Sequence, residues 1–244
     1  VVPLLDALAL RERRYVLATN NSSATPAMYV AKLRGMGIDV PPEAILTSAL
    51  ATRDYLRETL PRGSGIYTIG MPAMREQLFG DGDFEPVQFG ETHPAAVVVA
   101  LDTGFTYDKL KAANAAIRGG ARFIATNTDA TLPTEAGLVP GSGSIVAAVA
   151  TAAGVDPVVI GKPETPLLDQ ALHVMGLPAS EAAMVGDRLD TDILAARRAG
   201  ILSVLVLTGV STRAELAESP VLPDIVVNDL PSLLAALIGD GPTG

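Results

Sequence analysis

The sequence contains no cysteine and only two histidines, His93 and His173. Without cysteine the chain forms no disulfide and no zinc–thiolate site, and it has no thiolate nucleophile. Two histidines are too few for a metal site built from several imidazoles. One precedes a proline and the other falls within a predicted helix, so we interpret both as structural. Any chemistry must therefore come from carboxylates, hydroxyls, amides and lysines.

Long apolar runs and basic charge are also scarce. No run of about 18 apolar residues occurs, so we expect no membrane-spanning helix. The net charge of −9 matches the phosphate backbone of nucleic acid poorly, but a small anionic substrate needs only local positive groups. Residues 1–14 are apolar first and charged second, the reverse of a secretion signal, and we expect a cytoplasmic protein.

Eight short apolar runs, rich in valine and isoleucine, recur along the chain. They lack the alternation of half-exposed strands, which is typical of strands buried on both faces of a parallel sheet. Amphipathic helical segments lie between most of them, and this alternation predicts an α/β fold with a doubly wound, mostly parallel sheet. The runs are 15–19, 65–70, 95–101, 122–127, 157–161, 182–187, 203–209 and 224–229; the helical segments include 25–37, 165–176, 191–200 and 230–239.

Two stretches interrupt this alternation. Residues 74–94 are rich in glycine and acidic residues, and residues 129–144 are long, polar and loop-like. We interpret the region between the two halves of the sheet as an insertion. The predicted domains are a core over 1–72 and 161–244, with an inserted α/β domain over 73–160.

Polar side chains follow three of the predicted strands. In open α/β sheets, ligands bind beyond the carboxyl ends of the strands. A hydroxyl and two amides follow the first run, a lysine follows the fifth, and two carboxylates follow the sixth: Thr19, Asn20, Asn21, Lys162, Asp187 and Asp192. Of the four lysines in the chain, only Lys162 lies in a glycine–proline loop between a strand and a helix.

These residue types together favour a site for phosphate and Mg²⁺. A hydroxyl, backbone N–H groups and an ammonium group bind a phosphoryl dianion, while carboxylates hold a hard divalent cation. Each group also has a structural alternative. Thr19 and the amides suit a turn and helix cap, Lys162 suits a solvated surface, and the carboxylates suit a capping acid beside a solvated one. Their occurrence together, each at the end of a strand, favours the phosphate site.

The motifs carrying these residues resemble those of a known superfamily. "LATNNSS", "GKPETP" and "VGDRLDTDILAARRAG" resemble motifs two, three and four of the haloacid dehalogenase-like hydrolases. The resemblance narrows to the nitrophenylphosphatase-like branch (subfamily IIA), which has a C2-type α/β cap between motifs two and three. The segments that narrow it are "ILTSALATRDYL", "GARFIATNTD", "PGSGSIVAAV" and "VLVLTGVSTRAEL".

The resemblance implies a role for each residue. Thr19 would hydrogen-bond the phosphoryl oxygens, with Asn20 and Asn21 beside it, and Lys162 would neutralise the phosphate. Asp187 would bind Mg²⁺, and Asp192 would support that site as ligand or neighbour. The cap would close over the site and choose the leaving group. Asn127 and Asp129 are candidate cap residues facing the substrate, which would be a small phosphorylated metabolite, and the cap is a plausible homodimer surface.

One element of the family pattern is missing from the 244 residues. The first motif is a strand ending in Asp-x-Asp-Gly, whose first aspartate is the nucleophile and whose second is the general acid and base. Asp6 does not replace it, because Leu8 stands where the second aspartate belongs and Asp6 lies only thirteen positions before Thr19. We expect this motif upstream of Val1 in the natural protein, and we expect the 244 residues alone to be inactive.

Three functions are compatible with this sequence. The leading expectation is an Mg²⁺-dependent phosphatase that acts through an aspartyl-phosphate. A non-catalytic phosphate-binding or regulatory protein on the same fold is the alternative from another class. A third possibility keeps the fold but transfers phosphate between sugars or removes a halide, and dehalogenation needs no metal. The substrate itself is not determined by the sequence.

Overall fold

The computed structural model describes residues 1–88, 90, 93–134 and 137–239, and the chain divides into two compact units. Unit 1 comprises Val1–Leu17, Val30–Ala44 and the residues from Lys162 onward. Unit 2 comprises Ala18–Tyr29 and Ile45–Gly161. Each unit has its own sheet and its own buried core.

Helices and strands alternate along most of the described chain. The helices are α1 (Val2–Leu10), α2 (Pro26–Gly35), α3 (Ser48–Thr59), α4 (Pro72–Phe79), α5 (Tyr107–Arg118), α6 (Ser142–Ala153), α7 (Pro166–Met175), α8 (Leu194–Ala199), α9 (Arg213–Glu218) and α10 (Leu230–Ile238). The strands are β1 (Leu17–Thr19), β2 (Ile45–Thr47), β3 (Gly65–Ile69), β4 (Glu85–Pro86), β5 (Ala96–Val99), β6 (Arg122–Ala125), β7 (Thr131–Thr134), β8 (Gly137–Pro140), β9 (Val158–Val159), β10 (Ala183–Gly186), β11 (Leu202–Val206) and β12 (Ile225–Val227).

The main sheet of unit 2 is parallel throughout. Its strands lie in the order β4-β3-β5-β6-β9. Every residue of the central strand β5 is fully buried, as the unbroken run of valines predicts for a strand covered on both faces. Buried side chains of β5 form one apolar core together with side chains of β6, α5 and α6.

Strand β3 belongs to this sheet and pairs with β5 from Ile66 to Ile69. Residues 65–69 fall within the first part of the predicted core, 1–72. The connection from β3 to β5 runs through α4 and β4, and β4 pairs with β3 as well. The domain limits at 72/73 and 160/161 stay a prediction. The pairing of β3 with β4 and β5 shows that residues before position 72 share a sheet with residues after position 73.

Residues 129–144 contain more regular structure than we expected. The sequence analysis described them as loop-like, and this was wrong. β7 and β8 form an antiparallel hairpin, with Thr131 opposite Pro140, and α6 begins at Ser142. Glycine and proline are unusual inside strands, and β8, which contains Gly137 and Pro140, is exposed along its length, so the apolar pattern of a buried strand is absent.

The sheet of unit 1 has the order β10-β11-β12 and is also parallel. Helices α7 and α8 pack against each other and against the start of β11 around Leu168, Ala195 and Ile201. The first helix of the chain, α1, packs against the last one, α10. Asp6 therefore lies on a helix, as its apolar spacing predicts.

The fold class predicted from the sequence is confirmed, because both main sheets are parallel and helices connect their strands. All eight predicted strands are present, and each is shorter than its apolar run. No helix in the part of the chain that the structure describes has the length and apolar character needed to cross a bilayer.

Candidate active site

Lys162 and Asp192 form a buried ion pair in unit 1. Lys162 Nζ lies 2.7 Å from Asp192 Oδ1, and the two residues are 8% and 6% exposed. Removing one member of such a pair leaves an uncompensated buried charge, which costs about 3–5 kcal/mol. Lys162 is therefore not the solvated surface lysine of the structural alternative, and its ammonium group is held in a fixed position.

The second carboxylate oxygen of Asp192 organises the loop after β10. Asp192 Oδ2 accepts hydrogen bonds from the backbone N–H groups of Asp187 (3.0 Å) and Arg188 (3.2 Å). Asp192 itself lies in a single π-helical turn, Leu189–Ile193, an irregularity frequent at functional sites. One carboxylate thus holds both the lysine and the backbone that carries Asp187.

Asp187 is clamped against the loop that follows β11. Its Oδ2 accepts the N–H of Val210 at 2.8 Å, and its carbonyl oxygen accepts the N–H of Ser211 at 2.9 Å. The hydroxyl of Ser211 in turn accepts the N–H of Leu189 at 3.1 Å. These contacts fix the direction of the Asp187 carboxylate at the carboxyl end of the sheet.

Two glycines make room for these carboxylates. A Cβ added at Gly209 would lie 2.1 Å from Asp187 Oδ2, and one added at Gly186 would lie 2.3 Å from Asp192 Cβ. Carbon atoms do not approach non-bonded atoms so closely, so any larger residue would displace the carboxylate. The absence of a side chain at these two glycines therefore leaves the space that both carboxylates occupy.

Asp190 has a partner of its own, which the sequence analysis did not assign. Arg188 donates to both of its carboxylate oxygens, at 3.1 and 2.8 Å. This guanidinium holds the pKa of Asp190 below its usual value. The three neighbouring acids thus have different partners. Lys162 compensates the charge of Asp192, and Arg188 compensates that of Asp190. The Asp187 carboxylate accepts the backbone N–H of Val210.

Unit 1 offers one carboxylate that could act as a ligand for a hard cation. Among the described residues, no group of three or more His, Cys, Asp or Glu side chains is placed to hold a metal ion. Mg²⁺ commonly uses one or two protein carboxylates and completes its shell with water and phosphate oxygens. Asp187 meets that requirement, whereas the oxygens of Asp192 are engaged with Lys162 and the backbone.

In unit 2 the residues after β1 form a compact turn. Thr19 Oγ1 accepts the N–H of Asn21 at 3.2 Å, and Asn21 Oδ1 accepts both the N–H and the hydroxyl of Ser23, at 2.8 and 2.7 Å. The carbonyl of Asn20 accepts the hydroxyl of Ser48 at 2.5 Å. The segment is therefore ordered by its own side chains and by the start of α3.

Asn127 and Asp129, which follow β6, hold the same segment. Asn127 Nδ2 donates to the carbonyl of Asn20 at 2.7 Å, and its Oδ1 accepts from Asp129 N (3.1 Å) and from the Ser142 hydroxyl. The amide of Asn20 donates to both oxygens of Asp129 at 3.3 Å. Asn127 is only 4% exposed, so its amide is occupied within the protein.

These residues line a cavity of about 170 Å³ within unit 2. Its lining consists of the turn after β1, the end of β6, the base of the β7–β8 hairpin and the start of α6. The lining residues are Thr19, Asn20, Asn21, Ser22, Leu101, Asn127, Asp129, Thr131, Leu132, Gly141 and Ser142. The five predicted site residues of unit 2 all belong to this lining.

Each unit thus brings its own predicted residues together. Unit 1 joins Lys162, Asp187 and Asp192 at the end of β10. Unit 2 joins the amides, hydroxyls and Asp129 around the cavity. The individual roles assigned to them from the resemblance stay predictions.

The segment 140–144 was expected to open a helix, and α6 does begin at Ser142, but Thr131, Leu132 and Ser142 were not predicted to line the cavity. A signal for them was present in "PGSGS". A Cβ at Gly141 would lie 2.3 Å from the carbonyl oxygen of Asp129, and one at Gly143 would lie 2.3 Å from that of Thr128. Those glycines mark a close approach of two backbones, which places α6 beside the end of β6.

Two family models match the chain. The model for haloacid dehalogenase-like hydrolases matches residues 1–82, and a second, HAD-hydrolase-like model matches residues 159–233. An acid sugar phosphatase from Staphylococcus aureus is 41% identical over 233 residues, which cover 96% of this chain and 88% of that protein.

Solved structures agree with these matches. A 4-nitrophenylphosphatase from Thermotoga maritima is 36% identical, with a TM-score of 0.89 over 97% of this chain and 89% of its own. A glycerol phosphate phosphatase from Mycobacterium tuberculosis, solved with magnesium, is 38% identical, with a TM-score of 0.84 over 91% of this chain and 67% of its own. The chain therefore belongs to the haloacid dehalogenase-like hydrolases, in their nitrophenylphosphatase-like branch of phosphoric monoester hydrolases.

Proposed function

We propose that this protein is an Mg²⁺-dependent phosphatase that hydrolyses a small phosphate monoester through an aspartyl-phosphate intermediate. The observation that carries the proposal is the buried Lys162–Asp192 pair beside Asp187. A fixed ammonium and a hard-cation ligand at one strand end suit phosphoryl transfer, where positioning and charge stabilisation supply most of the catalysis. The relatives named for sugar phosphates, glycerol phosphate and nitrophenyl phosphate support the substrate class.

Each residue then has a task. The Lys162 ammonium neutralises negative charge on the phosphoryl oxygens, and Asp192 keeps that ammonium in position. Thr19 donates its hydroxyl proton to a phosphoryl oxygen, because its oxygen already accepts from Asn21 while its proton stays available for donation. Asp187 would hold Mg²⁺, and the charge of the bound cation would reduce the repulsion between the phosphate and a carboxylate nucleophile.

The nucleophile in this proposal is the aspartate of an Asp-x-Asp-Gly motif that precedes Val1. It attacks phosphorus, the bond between phosphorus and the alcohol oxygen breaks, and the second aspartate of the motif protonates the leaving alcohol. The same group then takes a proton from water, which hydrolyses the acyl phosphate and regenerates the carboxylate.

The edge of the unit 1 sheet supports the position of this motif. Within the described residues, β10 pairs with β11 alone, and Val185 on β10 is 39% exposed. An unpaired edge that displays an apolar side chain is suited to a further strand. A strand paired there in parallel, as the other strands of this sheet pair, would place its carboxyl end at the same end of the sheet as Asp187.

The test is phosphate release from a panel of phosphate esters, measured with the natural protein that includes the residues before Val1. With Mg²⁺ we expect release, which EDTA abolishes and added Mg²⁺ restores. The 244-residue chain, assayed in parallel, should release no phosphate. Turnover that persists in EDTA would refute the role of the metal, and turnover by the 244-residue chain would refute the upstream nucleophile.

A further inference from the structure

Gln77 is a buried glutamine of unit 2 to which the proposed function assigns no task. It lies on α4, is 6% exposed, and uses both the nitrogen and the oxygen of its side-chain amide. Its Nε2 donates to the carbonyl oxygens of Ala73 (2.9 Å) and Ala24 (3.2 Å), and its Oε1 accepts the hydroxyl proton of Thr47 at 2.6 Å. Carbonyl oxygens only accept hydrogen bonds, so the two of them determine which way the amide faces. The side chain thus joins three separate pieces of backbone.

One of these pieces is the turn of residues 19–24, which carries Thr19. The turn is held together by its own side chains, because Thr19 Oγ1 accepts the N–H of Asn21, and Asn21 Oδ1 accepts from Ser23. A turn of this kind moves as one body, so its orientation depends on where it is attached to the rest of unit 2. One attachment would leave it free to pivot, and a second attachment at its other end removes that freedom.

Different side chains attach the two ends of this turn. Near its start, the carbonyl of Asn20 accepts the hydroxyl proton of Ser48 at 2.5 Å. At its end, the carbonyl of Ala24 accepts from Gln77. A contact in between, which the hydroxyl of Ser22 makes, is long at 3.4 Å. The bond from Gln77 to Ala24 is therefore the attachment that keeps the turn from pivoting about its start.

Gln77 also supports the attachment at the start of the turn. Thr47 caps α3, because its hydroxyl oxygen accepts a backbone N–H from the first turn of that helix, and the same hydroxyl donates to Gln77. Ser48 follows directly, as the first residue of α3, and is fully buried. One side chain on α4 thus acts on both ends of the turn, directly at Ala24 and through the start of α3 at the other end.

We propose that Gln77 is a positioning residue, which sets the place of the Thr19 hydroxyl by holding the turn of residues 19–24 at its end. The proposal rests on the function proposed above, in which this hydroxyl donates to a phosphoryl oxygen. Gln77 is not among the residues that line the cavity, so it acts through the turn. A displacement of about 1 Å in a group that contacts the reacting atoms costs up to about 10²-fold in rate. Because Thr19 meets the part that all phosphate esters share, the loss should be equal for different esters.

Gln77→Met tests this role, because it keeps the approximate size of the side chain and removes its hydrogen bonds. In the natural protein with Mg²⁺, we expect it to lower kcat about tenfold, by the same factor for glycerol 3-phosphate and 3-phosphoglycerate. Thr52→Val is the matched control. Thr52 is also fully buried, and its hydroxyl donates to the carbonyl of Ser48 at 2.7 Å, a bond that lies within α3. The control should lower the melting temperature and change kcat less than about twofold.

A double-mutant cycle separates positioning of Thr19 from a general loss of stability. Thr19→Val removes the hydroxyl through which Gln77 would act. If Gln77 positions that hydroxyl, adding Gln77→Met to Thr19→Val lowers kcat by less than about twofold further. If the two losses multiply instead, Gln77 acts elsewhere and the proposal is wrong. It is also wrong if Gln77→Met keeps the full kcat while thermal melting shows that it is folded.

A second variant applies if Gln77→Met does not fold. The amide of Gln77→Asn is one methylene shorter, so it withdraws from the Ala24 carbonyl and stays near that of Ala73, in its own helix. The same loss of kcat and the same cycle with Thr19→Val are expected, and a full kcat would contradict the proposal.

Binding of inorganic phosphate, measured by calorimetry, repeats the cycle without turnover. If the natural protein hydrolyses neither ester, the proposed function is wrong, and this cycle still tests Gln77. Phosphate binding that is about threefold weaker in Gln77→Met, and not weakened further when Thr19→Val is already present, supports the positioning role. Equal weakening with and without the Thr19 hydroxyl refutes it, and a protein that binds no phosphate refutes both proposals.

Discussion

The two units offer different kinds of chemical group to a ligand. Unit 1 uses full charges: the Lys162 ammonium, the Asp192 carboxylate and the Asp187 carboxylate, fixed by one ion pair and by backbone N–H groups. Unit 2 uses amides, hydroxyls and a single carboxylate around a cavity. Charges suit the part of a substrate that is common to all phosphate esters, and neutral hydrogen-bonding groups suit the part that differs. The contrast implies that changes in unit 1 alter the rate for every ester, and that changes in unit 2, apart from Thr19 on the phosphoryl group and Gln77 that positions it, alter the choice among esters.

The largest expected effect comes from Lys162→Met. Loss of one fixed group that stabilises transition-state charge lowers kcat by about 10²–10³. We expect a loss of that size for glycerol 3-phosphate and 3-phosphoglycerate alike, so that their ratio is preserved. Steady-state kinetics on both esters measures it.

The unpaired Asp192 would itself destabilise this variant, so a second variant serves as a control. Lys162→Met with Asp192→Asn removes both charges and should recover most of the lost thermal stability without recovering activity. If the double variant regains activity as well, Lys162 acts only through stability.

The next effect concerns the Asp187 carboxylate. In Gly209→Ala the new Cβ occupies the space of Asp187 Oδ2, which shifts the proposed metal ligand. Misplacing such a ligand weakens metal binding by about 10–100-fold. The Mg²⁺ concentration that gives half-maximal rate should rise by that factor, again for both esters.

Gly35→Ala is the matched control for this change. A Cβ at Gly35 meets no atom within 4 Å, so the same substitution there has no steric consequence. An unchanged Mg²⁺ requirement in Gly209→Ala would argue against Asp187 as the ligand.

A smaller effect is expected in unit 2, where Asn127→Ala would leave the Asn20 carbonyl with the Ser48 hydroxyl in place of two donors. The variant also removes the acceptor of the buried Ser142 hydroxyl. Because the cavity lining is loosened and the charged site is not, KM should rise about tenfold while kcat changes less than threefold. Asn114→Ala on α5, outside the cavity lining, is the control. Equal losses in kcat would place Asn127 in the chemical step.

The smallest effect on activity is expected at Asp83, far in sequence from either site. Hydrogen bonds from Arg57 and Arg62 lower the pKa of the Asp83 carboxyl. A lowered pKa stabilises the fold above the unfolded value of about 3.9, and this contribution is lost as the pH falls through the folded value. Asp83→Asn should therefore lower the melting temperature at pH 7 and leave kcat unchanged. The difference from the unchanged protein should shrink as the pH falls below 4.

The sequence predicted the sheets better than the connections between them. The valine-rich run at 95–101 identified β5, because a strand buried on both faces needs apolar side chains at every position. The hairpin of β7 and β8 was missed because β8 is exposed along its length and neither strand carries such a pattern. The residues after β1, β9 and β10 were chosen because ligands bind beyond the carboxyl ends of strands in open α/β sheets, and their roles stay predictions.

The sequence did not predict which side chains pair with one another. The ion pair of Lys162 with Asp192 joins positions 30 residues apart, and the contact of Asn20 with Asp129 spans 109 residues. Nothing local in composition or periodicity specifies either distance. The neutralisation of Asp190 by Arg188, only two residues away, was visible in principle, since a bidentate pair needs little more than an exposed arginine beside an acid.

The packing of α1 against α10 has a consequence for synthesis of the chain. All five strands of the main sheet of unit 2 lie between residues 65 and 159, so that sheet can pair completely before β10 has been translated. Unit 1 cannot be completed at that stage, because α1 packs against α10, the last helix of the unit. Domains fold as units while they leave the ribosome. Helix α1 is therefore translated well before α10, and its contact with α10 forms only after the last part of unit 1 has been made.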